Sequence, residues 1–109
     1  MYTIQLPNLN ENADITQPIV IGQKSYTFNF KWVDTFCVLD ILLKDKYLVK
    51  GRAITTASNL IGRVKDDDLI TGQLFLVNKY DSTAQPTQEN FHTDYYLVWV
   101  EWWLQLNQR

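Results

Sequence analysis

The stretch that decides the fold is Lys24–Val33, which reads KSYTFNFKWV. Aromatic side chains occupy every second position of this stretch, and polar side chains fill most of the positions between them. Because successive side chains of a β-strand point to opposite faces, a period of two over this length predicts a half-buried strand. The aromatic face of that strand consists of Tyr26, Phe28, Phe30 and Trp32.

The residues that follow predict a hairpin partner for this strand. Phe36–Leu43 is an apolar run interrupted by Asp40. Periodicity alone does not separate a strand from a buried helix here, but the short length and the turn-like flanks favour a strand. The run leads into the strand-like stretch Tyr47–Thr56, in which Gly51 indicates a bulge or a close backbone approach.

The rest of the chain also reads mainly as strands and turns. Further strands are predicted at Tyr2–Leu6, Ile19–Ile21, Gln73–Lys79 and Asp94–Leu104. Loops are predicted at Asn8–Gln17 and Tyr80–Thr93, and a short helical turn at Ser58–Val64. The last strand, Asp94–Leu104, is apolar on both faces, which predicts a central strand or one covered by a partner.

These elements predict an all-β fold, a small antiparallel β-sandwich or partly open β-barrel of about six or seven strands with one short helical turn. The 109 residues fit a single domain over residues 1–109. We expect its core within residues 1–104 and a polar tail at residues 105–109.

Composition excludes several classes of function. The formal net charge is −2, and the basic residues are scattered, which argues against duplex nucleic acid or an anionic membrane as the main partner. No run of about 18 apolar residues is present, so we expect no transmembrane helix. One Cys and one His exclude a disulfide within the chain and a multi-cysteine metal site.

The residues that could take part in catalysis or metal binding do not match a known pattern for either kind of site. The spacing of Cys37 and His92 does not support a thiol–imidazole pair, so we predict a buried Cys37 and a structural or solvated His92. Asp66–Asp68 could bind a hard cation, but they lack the alternate spacing of a calcium loop and are predicted to be a solvated loop.

Isolated carboxylates leave one enzymatic alternative open. A small hydrolase would need two of them at a working distance, which sequence does not establish. Asp40 stands out because a charge within an apolar run needs a partner or an exit to solvent. The candidates for such a pair are Asp14, Asp40, Glu89 and Glu101. We predict no catalytic, cofactor-binding or metal-binding residues.

The aromatic residues point more clearly to binding. Six Tyr, five Phe and four Trp fill a core and leave some for a surface, where Tyr and Trp are common at interfaces. Adjacent Trp102 and Trp103 cannot both point inward from a regular strand, so at least one faces solvent or a partner. We predict a protein interface formed by Tyr96, Trp99, Trp102 and Trp103. An alternative is a β module that stacks carbohydrate or single-stranded nucleic acid on these rings.

The order of the motifs resembles the small baseplate plug proteins of contractile-tailed bacteriophages. The chain departs from that family's pattern at the turns Val33–Thr35 and Lys44–Lys46, where the family often has glycine, and at Trp102 and Trp103. The segments that carry the resemblance are Ile4–Pro7, Tyr26–Trp32, Leu39–Ile41, Val49–Ile54 with Asn59–Ile61, and Pro86–Phe91 followed by Tyr95–Val98.

The resemblance implies a structural component of the virion tail baseplate, made in the host cytoplasm and without catalysis or cofactors. It implies docking near the central hub onto hub, tail tube or wedge proteins, with no nucleic acid or membrane partner. A homo-oligomer or several copies in the assembly are compatible with it. The alternatives are the carbohydrate or single-stranded nucleic acid module and a small hydrolase using Asp40 or Glu101.

Overall fold

The computed structural model describes residues 2–56, 59–61 and 72–101. Three of the sequence predictions lie outside these residues, namely Trp102 and Trp103, the acidic run Asp66–Asp68 and the polar tail 105–109. The described elements, in chain order, are β1 Tyr2–Gln5, β2 Asp14–Ile21, β3 Lys24–Val33, β4 Phe36–Leu43, β5 Lys46–Ala53, β6 Gly72–Asn78, α1 Phe91–Asp94 and β7 Tyr95–Glu101.

The strands form two antiparallel sheets. Hairpins join the four-stranded sheet in the order β2-β3-β4-β5, whereas the three-stranded sheet has the order β1-β7-β6 and so pairs the two ends of the described chain. The described strands do not close into a barrel. The fold is therefore the predicted small all-β sandwich.

The deciding stretch folds as its pattern predicts. β3 has the predicted bounds, and the rings of Tyr26, Phe28 and Phe30 are buried, while Trp32 is half-buried at the end of the strand. The ambiguous apolar run is also a strand, β4, in which buried and half-buried side chains alternate from Cys37 onward.

Aromatic contacts join the two layers of the sandwich. The Tyr26 ring of the four-stranded sheet lies 6.0 Å from the Trp99 ring of the three-stranded sheet, centroid to centroid. At the other end, the Phe91 ring of α1 meets Phe30 at 6.4 Å and Trp32 at 5.9 Å, both edge to face. Offset and edge-to-face ring pairs at these distances stabilise a core beyond the area that they bury.

The predicted loop Asn8–Gln17 was partly wrong, because β2 already begins at Asp14. Asp14 and Thr16 lie on the outward face of β2 and pair with the polar residues Lys31 and Asn29 of β3. The Asn29 amide donates hydrogen bonds to the Asp14 carboxylate and to the Thr16 hydroxyl, each at 2.7 Å. Because these outward side chains are polar, the first half of β2 has the amino-acid composition of a loop, and the sequence alone did not distinguish the two.

The predicted loop Tyr80–Thr93 contains the single turn of helix α1, Phe91–Asp94, whose first turn is closed by the Asp94 N–H on the Asn90 carbonyl at 2.9 Å. Of the predicted helical turn Ser58–Val64, only Asn59–Ile61 is described, and it forms a bend. No helix among the described residues is long and apolar enough to cross a membrane.

Candidate partner-binding surface

The two described residues of the predicted interface lie on opposite faces of β7. Trp99 points into the sandwich and is 2% exposed, so its ring is not available on the surface of this chain and we do not retain it as a contact. The inward direction follows from register, since Trp99 pairs with buried Leu74. Tyr96 points outward and is half-buried.

The Trp99 ring packs directly on the backbone of β6. A Cβ placed on Gly72 would lie 2.9 Å from Trp99 Nε1 and 2.7 Å from the Val100 carbonyl oxygen. Both distances are shorter than ordinary van der Waals contact. Glycine at position 72 is therefore what lets the ring close this end of the core.

Tyr96 belongs to a group of outward side chains that we call the outer face of the three-stranded sheet. Strand register places Val98 opposite Phe75 and Tyr96 opposite Val77, with Val100 one step further along β7. All five are half-buried. They present a contiguous surface without a charged side chain.

The rim of this outer face is polar. On β1, Thr3 lies opposite Val98 and Gln5 lies opposite Tyr96. A depression of about 140 Å³ lies beside the Tyr96 ring, and among the described residues that line it Lys79 is the charged one. An apolar centre with a polar rim is the usual anatomy of a protein–protein interface.

The outer face of the four-stranded sheet is mixed. It carries Asp14, Thr16, Asn29 and Lys31, and the Asn29 amide donates hydrogen bonds to the Asp14 carboxylate and to the Thr16 hydroxyl. Half-buried Val38 and Leu42 lie on the same face, so charged and apolar side chains are interleaved there, whereas the five central residues of the other outer face carry no charge.

Cys37 and His92, the residues considered for a thiol–imidazole pair, both lie at least partly inside the fold. Burial raises the pKa of the Cys37 thiol from 9.0 to about 12, with a backbone hydrogen bond at Lys31 acting in the opposite direction. Cys37 is fully buried, as predicted. His92 is half-buried, and its Nδ1 atom has no hydrogen-bond partner among the described residues.

The carboxylate of Asp40 is half-buried and accepts a hydrogen bond from the Gly51 N–H at 2.6 Å. The Asp14 carboxylate contacts Asn29, and Glu89 is exposed. No group of three or more His, Cys, Asp or Glu side chains that could hold a metal ion occurs within residues 2–56, 59–61 and 72–101.

A comparison with known protein families assigns the chain to one of them. Residues 1–102 match the family described as Cyanophage baseplate Pam3 plug gp18. The chain belongs to this baseplate plug family. No curated protein matches the chain. The family is one of structural phage proteins and places the chain in the virion tail baseplate, as the sequence motifs indicated.

Three polar residues of the plug-like motifs, Thr87, Asn90 and Tyr95, form hydrogen bonds with the backbone. In the segment Pro86–Phe91, the Asn90 side chain accepts a hydrogen bond from the Thr87 N–H at 2.7 Å, and the Thr87 hydroxyl accepts one from the Asn90 N–H at 3.3 Å. The Tyr95 hydroxyl donates to the Ala84 carbonyl at 2.6 Å. These contacts fix the long connection between β6 and β7.

Sequence reasoning missed most of the outer face. It weighted tryptophan and therefore overlooked Phe75, Val77, Val98 and Val100. The available signal was that β6 and β7 are apolar at both odd and even positions, so that each strand has an apolar side left over after the core is filled.

Proposed function

We propose that this baseplate plug protein acts by docking the outer face of its three-stranded sheet onto a neighbouring baseplate subunit near the central hub. The observation that carries the proposal is the contiguous apolar surface formed by Phe75, Val77, Tyr96, Val98 and Val100. The protein would act by binding alone, without catalysis or a cofactor.

Contact with a partner would remove these side chains from water, which is favourable in proportion to the apolar area covered. Tyr96 suits the role of anchor, since an aromatic side chain supplies a large contact area with few rotatable bonds and a hydroxyl that can meet a polar partner group. Thr3 and Gln5 supply neutral hydrogen-bonding groups at the margin. The complementary partner surface is therefore apolar and uncharged at its centre.

Trp102 and Trp103 follow β7 directly in the sequence, and we keep them in the proposal as an extension of this surface. Their contribution would be additional to that of Tyr96. The partner is one of the hub, tail tube or wedge proteins of the same tail.

The test measures binding of the purified plug protein to each of those baseplate proteins, produced from the same phage. A Val98→Lys variant places an ammonium group at the centre of the outer face. We expect it to weaken binding at least tenfold, because the charge would have to be desolvated without a partner. Tyr96→Ala should also weaken binding.

The matched control is Val38→Lys. Val38 is also a half-buried valine on an interior strand, but it lies on the outer face of the four-stranded sheet. Equal loss of binding in both variants, with circular dichroism unchanged, would refute the assignment of this face. Quenching of tryptophan fluorescence by glycans or single-stranded oligonucleotides, with no binding to baseplate proteins, would favour the alternative binding module instead.

A further inference from the structure

The depression of about 140 Å³ beside Tyr96 is lined by residues from three neighbouring parts of the chain. Thr3 and Gln5 belong to β1, Tyr95 and Tyr96 begin β7, and Lys79 directly follows β6. A single water molecule needs only about 10–15 Å³ of such a space. The depression therefore has room for the end of a side chain from another protein.

Four of these five residues carry a side-chain N–H or O–H donor, and none of the four donors forms a hydrogen bond or an ion pair among the described residues. The donors are the Lys79 ammonium, the Tyr96 and Thr3 hydroxyls and the Gln5 amide. Tyr95 differs, since its hydroxyl already donates to the Ala84 carbonyl at 2.6 Å. The residues around the depression thus offer several donors to a molecule that binds there, and one of the donors is charged.

The backbone that carries Lys79 is held on both sides. The Lys79 N–H donates to the Asp94 carbonyl at 2.8 Å, and the Asn78 side-chain oxygen accepts a hydrogen bond from the Tyr80 N–H at 2.7 Å. The side chain of Lys79 is itself exposed. The ammonium is therefore attached to a fixed point at the margin of the outer face.

The charge of Lys79 is not balanced within the described part of the chain. Asp81 and Asp94 lie in the adjoining turn and helix, but neither forms an ion pair with Lys79. A partner that covered the outer face would remove water from this ammonium, and burial of an ammonium without an opposite charge is costly. A well-matched partner would therefore bring an anionic group to the depression.

We propose that the depression beside Tyr96 receives the carboxylate of an aspartate or glutamate side chain from the baseplate subunit that docks on the outer face. The carboxylate would pair with the Lys79 ammonium and accept hydrogen bonds from the neutral donors around it. Hydrogen bonds between ionised groups are shorter and stronger than those between neutral groups. This inference rests on the proposed docking of the outer face and adds to it the chemistry of one partner residue.

The position of this contact would fix the orientation of the partner. Apolar burial is non-directional, so the five central residues of the outer face alone would allow several orientations. The depression lies at one end of that face, where β6 ends and β7 begins. A charge pair at one end of an uncharged surface fixes the register of the complex and speeds its formation at low salt.

The test measures binding of the full chain to the hub, tail tube and wedge proteins of the same phage. Lys79→Met removes the charge and should weaken binding about threefold or more, whereas Lys79→Glu opposes two carboxylates and should weaken it at least about tenfold. Lys50→Glu, on β5 of the other sheet, makes the same change in net charge and should bind like the parent. Raising the salt should weaken binding of the parent more than that of Lys79→Met.

A carbodiimide crosslink identifies the partner group. The reagent activates a carboxylate, and the Lys79 amine then forms an amide bond with it as the urea leaves, so the two proteins become joined without a spacer. Mass spectrometry should find Lys79 joined to an aspartate or glutamate of the partner. Lys79→Arg keeps the positive charge and should retain most of the binding, but it should not form this crosslink, because its guanidinium stays protonated. Changing the crosslinked partner residue to lysine should restore binding of Lys79→Glu.

The outcomes separate this inference from the proposed function. Binding that Val98→Lys weakens and Lys79→Glu leaves unchanged would overturn the carboxylate contact alone, as would crosslinks that form only through other lysines. Binding that Lys79→Glu weakens and Val98→Lys leaves unchanged would support a carboxylate at the depression and refute docking of the outer face. A parent chain that binds none of the baseplate proteins would overturn both.

Discussion

The Asp40 carboxylate accepts a hydrogen bond from the Gly51 N–H at 2.6 Å, across the pair of strands β4 and β5. The register of this pair shifts on both sides of Ile41, and Gly51 has a φ of +67°. The one charged residue of an apolar run therefore satisfies a backbone N–H at a bulge in the neighbouring strand. Glycine suits that position because side chains disfavour positive φ.

This contact predicts that Asp40→Ala destabilises the fold. Removing the acceptor leaves the Gly51 N–H without its carboxylate partner, and hydrogen bonds to charged groups contribute roughly 1.5–3 kcal/mol. Because the carboxylate is half-buried and water can replace it in part, we expect a loss of about 1–2 kcal/mol in the free energy of unfolding, measured by urea denaturation. Asp40→Asn keeps an acceptor oxygen and should lose less. Equal unfolding midpoints for the parent and Asp40→Ala would contradict the bulge-holding role.

The fold was predictable where one strand pattern was decisive. β3 alternates so strictly that its bounds, its buried face and its hairpin partner followed from the sequence. β2 was recognised only from Ile19 onward, because its first half exposes polar side chains that hydrogen-bond to β3. Such cross-strand pairing depends on contacts that a single segment does not contain.

The outward residues of the three-stranded sheet were less predictable for a related reason. An interface at the C-terminal strand was expected, and Tyr96 does face outward, but Trp99 fills the core. Which face of β7 is inward depends on its register with β6, whose own alternation is Leu74 inward and Phe75 outward. A strand that is apolar on both faces does not reveal this in its own sequence.

Gly72 provides the second prediction. A methyl group at this position would overlap the Val100 carbonyl oxygen at 2.7 Å and the Trp99 ring at 2.9 Å. Gly72→Ala should therefore force the indole or β6 to move, and overpacking of this kind costs about 1–3 kcal/mol. The shift should be visible both in the urea midpoint and in the near-ultraviolet circular dichroism of the tryptophans. If Gly72→Ala is as stable as the parent chain and its near-ultraviolet spectrum is unchanged, the close approach of Trp99 is refuted.

The Cys37 thiol gives a prediction about alkaline pH. Its pKa is raised by burial from 9.0 to about 12, so between these values the unfolded chain loses the thiol proton while the folded chain retains it. The folded state then binds more protons, and the free energy of unfolding falls as pH rises, by at most about 1.4 kcal/mol per pH unit from this group. Below pH 9 the contribution is fully present.

Urea unfolding of the parent and of Cys37→Ala at pH 8, 9, 10 and 11 tests this directly. Cys37→Ala should be less stable at pH 8, because the smaller side chain leaves unfilled space in the core. Its stability should nevertheless decline less steeply above pH 9, since it lacks the titrating thiol. Parallel curves for the two proteins, or rapid alkylation of the folded parent by iodoacetamide, would show that the thiol is not protected as described.

Asn59 gives the last prediction, because one side-chain oxygen fixes a segment that otherwise has little regular structure. Asn59 Oδ1 accepts hydrogen bonds from the Leu74 N–H at 3.0 Å and from the Ile61 N–H at 3.2 Å, and the Leu60 N–H donates to the Leu74 carbonyl at 2.8 Å. These bonds hold the buried side chains of Leu60 and Ile61 against β6.

Asn59→Ala should remove both side-chain bonds and lower the free energy of unfolding by about 1–3 kcal/mol, since two partly buried N–H groups lose their acceptor. Asn59→Asp retains an acceptor oxygen and should keep more of the stability. Hydrogen exchange provides the specific readout, because the Leu74 amide should exchange faster in Asn59→Ala while amides within β3 change no more than global stability requires. A uniform change across both sheets would instead mean that Asn59 contributes only to overall stability and does not anchor this segment to β6.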